Sequence, residues 1–145
     1  MYIEICSDQD LDLLALINKQ LIEDEQHENP MGIDKLKKRM AGFINAEYKA
    51  YLFKDNEDIK GYALVNHSRS PLYLRHFFIC RDFRRQGTGR RAFHLLLQYL
   101  QTEKMDIEVM SWNKRGYEFW KSLGFVERSV YMRMDTRDDL QGLDR

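Results

Sequence analysis

Apolar and polar residues alternate from Tyr2 to Cys6, a period of two that predicts a short strand. The period then lengthens. Leu11, Leu14, Ile17, Leu21 and Ile22 recur at helical spacing, and Ser7 with Asp10 three residues on supplies a capping pair ahead of them. This is an amphipathic helix of about four turns. It runs into the acidic stretch Glu23 to Asn29, which Pro30 ends. A second helix is expected from about Ile33 to Asn45, with Leu36, Met40, Phe43 and Ile44 on one face and lysines on the other. Tyr48 to Lys54 alternates as a strand, Asp55 to Asp58 is a hairpin turn, and Ile59 to Asn66 is the returning strand. The run Leu74 to Cys80 reads as a buried strand, and Ala92 to Leu97 as the body of a helix. A further strand is expected around Ile107 and Val109. A helix capped by Asn113 and closed by Gly124 follows, and a last strand from Phe125 to Met134.

The resulting order is β-α-α-β-β-β-α-β-α-β. Three consecutive strands exclude a regular βαβ repeat and point to a mixed, largely antiparallel twisted α/β sheet flanked by helices. One domain is expected over residues 1–135, with a frayed tail over 136–145. The 145 residues suffice for a core without disulfides or metal. Lysine plus arginine equals aspartate plus glutamate at 23 each, so no overall field favours nucleic acid or a membrane surface. No apolar run approaches the roughly 20 residues of a membrane span. The start Met1-Tyr2-Ile3-Glu4 is no signal peptide. Cys6 and Cys80, both in apolar settings, read as reduced thiols of a cytoplasmic protein. The histidines and cysteines show no metal-ligand spacing, so no metal is expected.

The informative stretch is Leu74 to Leu97. An apolar strand passes through the basic loop Arg84-Arg85-Gln86-Gly87-Thr88-Gly89 into a helix start. Glycines let successive backbone N–H groups converge on an anion, and a helix N-terminus adds partial positive charge. Flanking arginines bind phosphate oxygens in pairs. A phosphorylated small molecule is the implied ligand class. Gly87 to Ala92 also satisfies G-x-G-x-x-A, with Glu108 about 20 residues on, as in dinucleotide-binding folds. That motif belongs after a first strand, and too few strands remain here to build a doubly wound sheet.

The segment Ile79 to Gly89 resembles the acetyl-coenzyme A signature of the GNAT superfamily of N-acetyltransferases, in which Arg84, Gly87 and Gly89 match the defining positions. Asn113, with Leu123-Gly124-Phe125 closing the helix after it, matches a second hallmark, and the element order is that of the family from about Tyr2 to Met134. The resemblance implies that backbone amides of Gln86, Gly87, Thr88 and Gly89 hold the pyrophosphate between Arg84 and Arg85. It further implies that Phe78, Ile79 and Cys80 pair with the pantetheine arm, that an N–H of this strand polarises the thioester carbonyl, and that Asn113 and Trp120 line the arm. The implied reaction is direct transfer of acetyl from acetyl-CoA to a primary amine of a small molecule or peptide, through a ternary complex.

The catalytic positions depart from the pattern. Where relatives often place a tyrosine acid, this chain has Trp120, and its indole is no acid; Tyr117, one turn earlier, is the substitute. Relatives often carry a carboxylate on the central strand, but Arg75 and His76 stand there, leaving His76, Glu25 and Glu28 as base candidates. The acidic stretch is either a solvated loop or a negative patch that recruits a cationic amine. Cys80 has no partner pattern for a nucleophile and reads as packing. The alternative to an enzyme is a weakly catalytic acyl-CoA-binding sensor. The expected last strand offers an edge for a homodimer.

Overall fold

The structure is a computed structural model and describes residues 1–25 and 29–135. These residues divide into two compact units, with the boundary between Lys114 and Arg115. In the first unit five strands lie in chain order in one sheet: β1 (Tyr2–Ile5), β2 (Tyr48–Asp55), β3 (Asp58–Asn66), β4 (Leu72–Ile79) and β5 (Met105–Ile107). The first three pairings are antiparallel, and β4 with β5 is parallel. This is the mixed, mostly antiparallel sheet that the alternation predicts.

Three helices cover it: α1 (Leu11–Asp24), α2 (Ile33–Ile44) and α3 (Thr88–Leu100). The Ser7–Asp10 pair forms a complete capping box, though around a single 3₁₀ turn (Asp8–Asp10) that leads into α1. Leu11, Leu14, Ile17 and Leu21 of α1 and Met40 of α2 bury one sheet face, packing on Ala50, Leu52, Tyr62, Leu64 and Phe78. At about 25 cal/mol per Å² of apolar surface, this contiguous layer carries much of the stability. On the opposite face Phe77 of β4 meets Phe53 of β2 at 5.7 Å and Phe93 of α3 at 6.1 Å, with Leu96 fully buried.

Two features of the ladder shape β4. Val65 pairs with Leu74 and Leu64 with His76, so Arg75 is an extra residue, a β-bulge. On its other side β4 pairs with β5 only through Leu72, Tyr73 and Leu74, because β5 ends at Ile107. Gly61 of β3 is required by close approach: a Cβ there would lie 2.0 Å from the carbonyl oxygen of Phe78.

The second unit is built on α4 (Lys114–Ser122). Gly124, at φ 100°, ends it: its N–H bonds to the Lys121 carbonyl and the Phe125 N–H to the Trp120 carbonyl, while the Trp120 and Phe125 rings meet at 5.3 Å. This double bond with its apolar contact is a Schellman cap, the physical content of the Leu-Gly-Phe motif. The last strand expected over Phe125 to Met134 is not formed. Residues 125–135 carry no strand, and Val126, Val130, Tyr131, Met132 and Met134 are all more than two-thirds exposed. Alternation makes a strand only where a neighbour accepts its hydrogen bonds, and this segment pairs with none. The tail expected to fray, 136–145, lies outside the described residues, as does Glu28.

Candidate active site

The loop after β4 has the geometry of an anion cradle. Arg85 (φ 61°) and Gly87 (φ 74°) both take the left-handed conformation, and α3 starts at Thr88 with no side-chain cap. The N–H groups of that first turn have no intrahelical acceptors, and they carry the positive end of the helix dipole. Arg85, Gln86 and Gly87 are exposed, so a ligand reaches them from solvent. Upstream, β4 pairs with β5 only through Leu72 to Leu74, so its last residues have no strand neighbour on that edge among the described residues, and the Ile79 carbonyl is taken by Arg84 instead. Cys80 continues the ladder by donating to the Lys60 carbonyl at 2.8 Å. Such a cradle is suited to phosphate oxygens.

Arg84 is held differently from Arg85. Its Nε donates to the Ile79 carbonyl at 2.7 Å, its guanidinium lies 5.0 Å from the Phe78 ring, and Nη2 pairs with Asp24. Arg81 takes the other oxygen of Asp24 at 2.6 Å. Asp24 is the last residue of α1, where the helix dipole disfavours a negative charge. Desolvation also works against its ionisation, yet the hydrogen bonds to Arg81 and Arg84 win and hold its pKa below the ordinary carboxylate range. The pair of arginines thus locks the end of α1 to the loop.

Glu25 caps α1 and is pinned by Trp112, whose indole N–H donates to its carbonyl at 2.9 Å. Burial, and secondarily the charge of Asp24, pushes the Glu25 carboxyl up to about 7. On the sheet, the fully buried Tyr62 shares a 3.0 Å hydrogen bond with His76 Nδ1. Desolvation raises the Tyr62 phenol well above its ordinary value, so it stays a neutral hydroxyl. Glu25 and Asn18 both act on that phenol. One of the expected base candidates, His76, is thus hydrogen-bonded to a buried tyrosine whose phenol also feels the charge of Glu25. In the acidic stretch at the end of α1, Asp24 is paired with two arginines, and Glu28 lies outside the described residues.

The sequence model of the acetyltransferase (GNAT) domain family matches residues 15–135. The chain belongs to the GNAT acetyltransferase family. Solved structures share the fold. A possible acetyltransferase from Clostridium difficile 630 superposes with a TM-score of 0.74 at 16% identity, over 92% of this chain and 95% of that one. A predicted acetyltransferase from Clostridium acetobutylicum, solved with acetyl-CoA, gives 0.71 at 18% identity over 92% and 94%. The aminoglycoside N-acetyltransferase AAC(6')-Iy, in complex with CoA, gives 0.72 at 15% identity over 93% of each chain. No curated protein matches by sequence.

Within this GNAT domain the remaining expected residues fall as follows. Asn113 directly precedes α4, its N–H bonded to the Met110 carbonyl at 2.9 Å. Trp120 is committed to the cap, stacked on Phe125 and on Phe119 at 4.9 Å. Tyr117 is 40% exposed and donates to Glu127 Oε2 at 3.3 Å. Burial raises the Cys80 thiol, which keeps it an unreactive neutral group. Sequence reasoning missed Tyr62, Asn18 and Arg39. A tyrosine inside Gly61-Tyr62-Ala63-Leu64-Val65 reads as core, and its one signal is that a buried hydroxyl requires a partner.

Proposed function

We propose that this GNAT domain, residues 1–135, transfers the acetyl group of acetyl-CoA directly to a primary amine of a small molecule or peptide, with both substrates bound at once. The observation that carries this reading is the left-handed loop that leads from the end of β4 into the uncapped start of α3. Bound acetyl-CoA supplies a thioester whose thiolate is a good leaving group. Backbone N–H groups of Gln86 to Gly89 hold the pyrophosphate, with Arg85 beside it. Arg84 works through Ile79 and Asp24, fixing the loop. The backbone of Phe78, Ile79 and Cys80 aligns the arm, together with Asn113. Glu25 takes the proton of the attacking amine, since a base with a pKa near 7 is matched to neutral operation. His76, fixed by Tyr62, orients the amine. Tyr117 returns a proton to the thiolate. Two neighbours of the same fold, one solved with acetyl-CoA and one with CoA, support the donor.

The test has two stages. Acetyl-CoA and CoA at about 100 times their dissociation constants raise unfolding stability by about 2.7 kcal/mol each. Thiol release with a panel of amines then shows a rate that rises with pH through about 7, the carboxylate form of Glu25 being the active one. Glu25→Gln removes that limb and lowers kcat about 10²-fold or more, with the coenzyme shift intact. The same raised pKa means that Glu25 favours the fold when protonated, a contribution present in acid and lost as pH rises through about 7. Coenzyme binding without thiol release on any amine would identify a binding domain, not an enzyme.

A further inference from the structure

The ring of Phe43, on α2, is the centre of a cationic cluster that the transfer reaction as described leaves unused. The Arg75 guanidinium lies 4.8 Å from its centroid and that of Arg39 5.6 Å, while Tyr48 packs on it at 4.9 Å and His76 at 6.2 Å. The bulge makes this possible. In a regular strand Arg75 and His76 would point to opposite faces, but the extra residue turns both toward α2. Arg39 donates from Nη2 to Asn18 Oδ1 at 3.1 Å, yet its Nε is buried without a hydrogen-bond partner. Asn18 is itself fully buried; it influences the Tyr62 phenol, but its Nδ2 makes no geometrically complete hydrogen bond.

Among the described residues neither Arg39 nor Arg75 forms an ion pair, whereas Arg81 and Arg84 share the carboxylate of Asp24. Burial lowers the Arg39 pKa, and the charge of Arg75 adds to it. Holding two guanidinium groups together, one half-buried, is unfavourable unless an anion joins them. Aromatic faces offset a part of this, about 0.5–1 kcal/mol per contact at exposed sites. Arg75 is exposed and Phe43 and His76 only half-buried, so the cluster is open to a ligand.

We propose that the acceptor carries an anionic group beside its amine, and that Arg39 and Arg75 bind that anion while the amine lies toward His76 and Glu25. The proposal rests on the acyl-transfer reading and narrows it to amines such as amino acids, peptide ends or aminophosphates. A forked guanidinium matches carboxylate and phosphate alike, so both are tested.

The experiment is calorimetric binding of transfer products to the CoA-loaded protein. The probes are N-acetylglycine, N-acetylglutamate and N-acetylphenylalanine, their carboxamides, and N-acetylphosphoethanolamine. The anionic probes bind at least tenfold tighter than the carboxamides, and the better of carboxylate and phosphate identifies the group. Arg75→Gln and Arg39→Gln each bring the ratio toward one, and Arg75→Lys keeps part of it. Equal binding of acids and amides, a preference that survives both glutamine variants, or no binding of any anionic probe would overturn the proposal. Thiol release with the parent free amines is followed in parallel. If anions bind selectively but no amine is acetylated, the transfer reading fails while the anion site stands. If neutral amines are acetylated as well as acidic ones, the transfer reading stands and the anion site fails.

Discussion

The two proposed sites along β4, one at its C-terminal end and one at its middle, are built from different materials. At its C-terminal end the site is made of backbone: a strand end with no strand neighbour on one edge among the described residues, two left-handed residues and a helix start without a cap. At its middle the site is made of side chains drawn from α1, α2, β3 and β4, with Tyr62, His76, Asn18, Arg39 and Arg75 linked through contacts that span much of the chain. A backbone site holds what a ligand class has in common, because amide groups are the same whatever the residue. A side-chain site discriminates, because each position changes by substitution. In the proposed reading the first site would hold the donor and the second the acceptor.

Three substitutions test that contrast. Gly61→Ala is expected to have the largest effect. Its Cβ meets a backbone oxygen of Phe78 at 2.0 Å, so β3 and β4 must separate. A stability loss at or above the upper end of about 1–3 kcal/mol is expected from such overpacking. It would be read as a lower urea midpoint at unchanged slope, with both sites weakened together. Tyr62→Phe comes next. It removes the hydroxyl that meets His76 Nδ1 and costs about 1–3 kcal/mol if the nitrogen is left unsatisfied. Turnover falls and the acceptor KM changes, while the stabilisation by CoA stays; a loss of CoA binding would merge the two ends into one site. Gly87→Ala is the mildest. There is space for the methyl group, but at φ 74° a side chain costs about 1–2 kcal/mol. CoA affinity is expected to fall about five- to thirtyfold, with the pH limb near 7 unchanged.

The same contrast governs what was legible in the sequence. The donor end is local: Arg84 to Gly89 lie together, and the glycine pattern states the geometry that the backbone adopts. The capping box at Ser7 and Asp10 and the cap at Gly124 were readable for the same reason, since each closes within a few residues. The acceptor end was only half legible. His76 and Glu25 stand out in the sequence only as lone titratable groups, and nothing in one dimension joins His76 to Tyr62. The pairing of Arg39 with Arg75 depends on a bulge, and a bulge is a relation between two strands that neither strand spells out alone. The expected strand over Phe125 to Met134 failed on the mirror image of that reason: its alternation was real, but alternation does not supply a neighbour.

The bulge at Arg75 also bears on how such a protein can change over generations. Every other residue of β4 from Tyr73 to Ile79 faces a partner across the ladder to β3, so its replacement alters a cross-strand pair. Arg75 has none. Selection can rewrite that one side chain, swapping one charge preference for another, while the sheet beneath it is conserved. The extra residue is thus a place where a side chain can change at little risk to folding.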